Sequence, residues 1–121
     1  MNRILVVDNE PDLQNTYDRL LRRQGYRVVT AGSRAEGLRL VTEPPRLVIS
    51  DLRLRDGDGL DIIRAATANR PPVPVIVVTS FASAASRQAA RSSGAAAFLS
   101  KPFSASELLE LVRIEFERPL S

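Results

Sequence analysis

Short, β-branched-rich apolar runs recur along this chain, and each closes on a polar residue. "RILVV" is followed by Asp8, "RLVIS" by Asp51, "VPVIVV" by Thr79 and "AAAFLS" by Lys101. Near-continuous apolar runs of this length read as parallel strands buried on both faces. Between them, apolar residues fall at helical intervals: Leu13, Tyr17, Leu20 and Leu21, then Leu38 and Val41, then Leu60, Ile63 and Ala66, and last Leu108, Leu111, Val112 and Ile114. Strands alternating with helices imply a parallel sheet with right-handed crossovers and helices on both faces. In such a sheet, ligands and chemistry collect at the carboxyl ends of the strands. Two acids, a hydroxyl and an ammonium at four strand ends therefore converge on one site, suited to phosphate and a divalent cation.

The punctuation agrees with five strand–helix units. Strands are predicted at Ile4–Val7, Tyr26–Ala31, Leu47–Ser50, Val75–Val78 and Ala97–Leu99. Pro11 suits a first helical turn, where its missing N–H costs no bond, and Gly25 is a natural stop. Ser33 with Glu36, and Ser104 with Glu107, have capping-box spacing. Pro44–Pro45 breaks the chain before the third strand, and Pro71, Pro72 and Pro74 lead into the fourth. Asp51 to Gly59 reads as a loop whose Asp58 caps the next helix. Ala82 to Ser93 is a weakly amphipathic helix of small residues, ended by Gly94. No linker or repeat divides residues 1–121, so one domain is expected; the tail "ERPLS" is either an end or the start of a linker.

Composition narrows the function. The chain has 121 residues, and 44% apolar content is enough for a core. With no cysteine and no histidine, it has no disulfides, thiol chemistry, histidine acid–base catalysis or histidine metal ligands of its own. No apolar run approaches the roughly 18 residues of a membrane helix. "MNRILVVD" enters a strand at once, leaving no room for a signal peptide, so a soluble cytoplasmic protein without membrane association is expected. The net charge of +3 and pI of about 10.2 raise the question of nucleic acid. The arginines, however, are scattered and aromatic residues are only 5%. Arg19, Arg22, Arg23 and Arg27 read as a solvated helix face, and no direct nucleic-acid binding by this domain is expected. Lys101 is the only lysine among 17 basic residues, a compact point charge in a chain that otherwise uses arginine.

Taken singly, each strand-end residue has two readings. Asp8 supplies an oxygen to a hard cation such as Mg²⁺, or caps the following helix. Glu10 can equally be a first-turn acid facing the helix dipole. Asp51 is a carboxylate nucleophile toward phosphorus, or a turn former in "SDLRLRDGDG". Thr79 and Lys101 are donors to phosphoryl oxygens, or a structural hydroxyl and a surface lysine. No glycine-rich phosphate loop of either common type is present, which disfavours nucleotide binding of those kinds.

Together, "ILVVDNEPD", "LVISDLRLRDGDGLDII", "PVIVVTS" and "GAAAFLSKPF" make the chain resemble, over nearly its whole length, the receiver domain of bacterial two-component response regulators. The resemblance implies a (βα)5 flavodoxin-like α/β fold with strand order 2-1-3-4-5. It implies that Asp51 accepts a phosphoryl group from a sensor histidine kinase or a histidine phosphotransfer protein, with Mg²⁺ or Mn²⁺ required. Thr79 and Lys101 would contact that group, and the backbone carbonyl of Arg53 would join Asp8 and Asp51 at the metal. Phe98 falls at the family's aromatic switch position, moving with Thr79, and Lys101–Pro102 is expected to be cis. The output surface would be the fourth helix, fifth strand and fifth helix, facing an effector domain or downstream protein, in some members through a phosphorylation-dependent homodimer. Such a domain assists its own phosphorylation and dephosphorylation and is no enzyme toward an external metabolite.

The chain departs from the family at Asn9, where a second acid normally touches the metal directly. A neutral amide there implies weaker Mg²⁺ binding, partly offset by smaller repulsion of the incoming phosphoryl group. Arg53, two residues past the acceptor, and Phe81, two past Thr79, are candidates for tuning the phosphoryl lifetime. A bulky Phe81 restricts the attacking water and lengthens it. Asn9 also supports a rival, a degenerate receiver acting as a phosphorylation-independent interaction module. A flavodoxin-like ligand binder is a second rival, short of aromatic residues to stack on a flavin.

Overall fold

Each strand of the sheet divides its side chains between two cores, because successive residues point to opposite faces. In the computed structural model, which describes residues 2–119, the strands are β1 (Arg3–Val7), β2 (Arg27–Ala31), β3 (Leu47–Ser50), β4 (Val75–Thr79) and β5 (Ala97–Ser100). They form one parallel sheet of order β2-β1-β3-β4-β5. The helices are α1 (Pro11–Arg23), α2 (Arg34–Leu40), α3 (Leu60–Thr67), α4 (Ala84–Ser93) and α5 (Ala105–Glu117). Leu5, Val7, Val48, Val75 and Val77 face Ile62, Ile63 and Ala66 of α3 and Ala90 of α4. Ile4, Val6, Ile49, Ile76 and Val78 face Tyr17 and Leu21 of α1 and Leu108 and Val112 of α5. Burying each large aliphatic side chain stabilises the fold by roughly 1.5–3 kcal/mol. The expected strand order and two-sided helix layers are both present.

Register places the site. Val7 lies beside Ser50, so Asp8 and Asp51 leave neighbouring strands at the same level. The Asp51 N–H donates to the Val7 carbonyl at 3.1 Å, and the Lys101 N–H to the Thr79 carbonyl at 2.9 Å. These two bonds carry the ladder one step past the strands and align the polar ends.

Several boundaries differ from the sequence reading. Helix α4 starts at Ala84 because Ser83 and Ser86 form a capping box that stops the helix reaching back to Ala82. Ser33 caps α2 through the Glu36 N–H, but the Glu36 carboxylate accepts from Gly32 N–H, one residue earlier than a capping box requires. Ser104 and Glu107 form the full box on α5. Tyr26 precedes β2 and packs on Phe116 with ring centroids 4.6 Å apart. Asp58 accepts the Leu60 N–H at 2.8 Å, while Gly59 occupies the cap position itself. The loop after Asp51 carries a two-rung antiparallel hairpin, Arg53–Leu54 against Gly57–Asp58, pinned inward by buried Leu54. The Lys101–Pro102 bond is cis as expected, and Arg70–Pro71 is cis as well. Arg19, Arg22, Arg23 and Arg27 are all exposed, with Arg22 paired to Asp18, but Arg27 opens β2 rather than sharing the face of α1, because Gln24 and Gly25 end the helix before it. Of the tail, Leu120 and Ser121 lie outside the described residues. Among the described residues no helix is long and apolar enough to cross a membrane.

Candidate functional site

Two carboxylates, buried at the ends of β1 and β3, share one ammonium from the end of β5. Asp8 is 2% exposed and Asp51 8%. Lys101 Nζ donates to Asp8 Oδ2 at 2.9 Å and to Asp51 Oδ2 at 2.8 Å, with Glu10 Oε1 at 3.4 Å. The second oxygen of each aspartate is held by the main chain two residues on: Asp8 Oδ1 by Glu10 N–H at 3.0 Å, Asp51 Oδ1 by Arg53 N–H at 3.1 Å. Asp8 therefore orders the turn before α1 through the Glu10 N–H and also faces Lys101. Glu10 stands at the N-cap of α1 without capping it through its side chain. Thr79, fully buried at the end of β4, accepts the Phe81 N–H at 3.1 Å, which leaves its own proton free to donate.

Burial pushes the Asp8 carboxyl up from its ordinary value, against the lowering pull of Lys101 and the Glu10 N–H. Burial alone would lower the Lys101 ammonium; its bonds to Asp51 and Asp8 outweigh that and hold it raised. The buried Tyr17 phenol is raised too, by desolvation and then by Asp8, Asp51 and Glu10. Two carboxylates against one ammonium leave net negative charge in a poorly solvated pocket. The two carboxylates are hard oxygen donors of the kind that fit Mg²⁺ or Mn²⁺. Among the described residues no three acidic side chains gather into a metal-holding group.

The remaining candidates fall into two further groups. Arg53 and Phe81 meet each other: the guanidinium lies 4.0 Å from the ring centroid, and Phe81 is 52% exposed. Their N–H groups are the same two that hold Asp51 and Thr79, so one stacked pair joins the loop after Asp51 to the β4–α4 loop. Asn9 is half-buried next to Asp8, with no side-chain hydrogen bond among the described residues. Phe98 stands apart from the carboxylates, half-buried on β5, with the Arg87 guanidinium of α4 at 4.6 Å from its ring centroid. Sequence reasoning singled out Arg53 and Phe81 separately but missed their contact, and it missed Arg87. Neither pair has a signal in local spacing, because each joins segments that only the folded sheet sets side by side.

Comparison with known proteins gives the same picture. The family model of the response regulator receiver domain matches residues 4–113. The chain is 38% identical over 110 residues to the transcriptional regulatory protein GlrR of Escherichia coli, a match covering 90% of this chain and 25% of that protein. It is 37% identical over 106 residues to the photosynthetic apparatus regulatory protein RegA of Cereibacter sphaeroides, covering 87% of this chain and 57% of RegA. It thus spans a quarter of one relative and just over half of the other. Among solved structures, the beryllofluoride-activated NtrC4 receiver domain dimer superposes with a TM-score of 0.89 at 33% identity, covering 97% of this chain and 98% of that one. The matched stretch contains both acidic strand ends, the threonine and the lysine, on the strand order seen here, and the chain belongs to the response regulator receiver domain family.

Proposed function

We propose that this domain is a phosphoacceptor switch in which Asp51 takes a phosphoryl group from a sensor histidine kinase or a histidine phosphotransfer protein. The observation that carries the reading is the Lys101 ammonium bonded to both Asp8 and Asp51. An Asp51 carboxylate oxygen forms the new bond to phosphorus as the donor's phosphorus–nitrogen bond breaks. Lys101 exchanges its bond to Asp51 for one to a phosphoryl oxygen, and Thr79 donates its free proton to another. Receiver domains generally bind Mg²⁺ at the phosphorylation site. Here Asp8, Asp51, the Asn9 amide oxygen and the Arg53 carbonyl would hold Mg²⁺ or Mn²⁺, which when bound neutralises charge on the phosphoryl oxygens.

The stacked Arg53 and Phe81 side chains shield the acceptor from water and lengthen the lifetime of the phosphoryl group. Movement of Thr79 toward that group reaches Phe98 through β4 and β5, whose residues Thr79 and Ser100 are paired. The α4–β5–α5 face then presents the change to an effector domain or downstream protein, with homodimerisation as one route. Transcriptional control enters through such an effector, as the names of the longer relatives suit. The domain transforms no external metabolite.

The test is intact mass after incubation with a small-molecule phosphodonor, with and without Mg²⁺, on wild type and Asp51→Asn. A Mg²⁺-dependent gain of one phosphoryl group, absent from the variant, is expected. No gain, with another receiver labelled in parallel, would replace this reading with that of a phosphorylation-independent interaction module.

A further inference from the structure

Asp56 sits at the tip of the hairpin that follows the acceptor, and its carboxylate bonds outside that hairpin. Its Oδ1 accepts the Arg34 N–H at 2.7 Å, and Oδ2 accepts the Ala35 N–H at 2.9 Å. These are the first two amides of α2, which have no partner within their own helix. Ser33 Oγ takes the Glu36 N–H beside them at 3.1 Å. The start of α2 is therefore capped jointly by its own serine and by a residue of the acceptor loop.

The Arg34 side chain closes the clamp from the other side. Its Nε donates to Asp61 Oδ2, in the first turn of α3, at 3.0 Å. Its stem packs against Gly57, where an added Cβ would come within 2.8 Å of Arg34 Cδ. Gly57 also holds a φ of +147°, a conformation that favours glycine in the turn that aims Asp56 at α2. The Ala35 and Arg34 amides hold the Asp56 carboxyl below its usual range, which keeps it charged through neutral pH. At the other end of the hairpin, Arg53 pairs with Asp58, and the Arg53 N–H holds Asp51 Oδ1. A two-rung hairpin is not stable by itself. It is anchored here by Leu54 inward and by Asp56 outward.

We propose that Asp56 is a positioning residue for the acceptor: by tying the hairpin tip to α2 it fixes the Arg53 main chain, whose N–H orients the Asp51 carboxylate. The proposal rests on the reading of Asp51 as phosphoacceptor. It extends the site beyond the residues that touch phosphate, to a helix start on the far side of the loop.

The experiment compares wild type, Asp56→Ala and Asp56→Asn by amide hydrogen exchange and by phosphoryl uptake from a small-molecule phosphodonor with Mg²⁺. In Asp56→Ala, exchange at the Arg53 and Gly59 amides quickens and phosphoryl uptake slows, each about fivefold, the size expected for a lost helix cap. Exchange at the Leu108 amide of α5 stays as in wild type. Asp56→Asn, whose amide oxygen still accepts one N–H, recovers part of both effects, which a merely structural role would not tie together. Unchanged exchange at Arg53 overturns the proposal whatever the uptake shows. Faster exchange with unchanged uptake overturns it too, since the tether would then position nothing the chemistry uses. Wild type that takes no phosphoryl group overturns the acceptor reading itself and the proposal with it.

Discussion

At Lys101 one ammonium is shared by two buried carboxylates, which offsets part of their charge at the cost of desolvation. Burial raises the Asp8 carboxyl, which favours its protonated form in the folded state relative to the unfolded one. The folded chain then binds more protons than the unfolded one between the ordinary carboxylate value and the raised value, and stability falls as pH rises through that window. Asp8→Asn is expected to raise Tm at neutral pH by a few degrees, with a gain that shrinks on acidification, while phosphoryl uptake is lost; thermal melts across pH check this. Lys101 acts in the same direction at higher pH: its contribution is lost as pH rises through its raised value, above the ordinary lysine range. Asn9→Asp should restore a third acid and tighten Mg²⁺ or Mn²⁺ binding, and equal affinities in a metal titration would refute that. For Arg53 and Phe81, alanine at either position should speed loss of the phosphoryl group, and the double variant should add nothing. The coupling in such a cycle should be about two- to fivefold in hydrolysis rate, as for an exposed cation–π contact. Additive effects would separate the two residues, and an unchanged rate in Phe81→Glu would end the shielding idea.

At the scale of elements, the loop after Asp51 leaves little room for change at its base. Gly59 has an ordinary φ, but an added Cβ would lie 2.1 Å from the Asp51 carbonyl oxygen and 2.9 Å from Leu52 Cα. Gly59→Ala must push the hairpin base away from the acceptor, and overpacking of this kind costs roughly 1–3 kcal/mol. A lower denaturation midpoint together with lost phosphoryl uptake is the expected result. The strands and helices themselves were legible in the sequence, because burial on two faces demands near-continuous apolar runs and a one-sided helix demands helical spacing. Asp8, Asp51, Thr79 and Lys101 were legible as strand ends for the same reason. The hairpin at 53–58 was not, since two rungs leave no periodicity to read. The Ser83 cap was hidden in a segment crowded with serine and alanine. The contacts of Arg53 with Phe81 and of Asp56 with α2 were beyond reach, because they join loops that only the folded sheet sets side by side.

At the scale of the whole molecule, the sheet separates two apolar cores whose strands meet at a single polar edge. On that edge the main chain of β1, β3, β4 and β5 places two carboxylates, a hydroxyl and an amine, and the surrounding loops add the arginine–phenylalanine cover. Composition gives this arrangement an experimental handle. Every other basic side chain of the 17 is a guanidinium, so the ε-amine at the site is the only one in the chain. Its side chain is 9% exposed and bonded to both aspartates, which keep it protonated and screened. Acylating reagents attack the unprotonated amine, so at mildly alkaline pH they should spare Lys101 in the folded protein and label it once denaturant opens the site. Equal labelling of Lys101 in the folded and the denatured protein would contradict the closed geometry. With no thiol or imidazole in the chain to compete for the reagent, acylation of one residue becomes a native gauge of whether the site is shut.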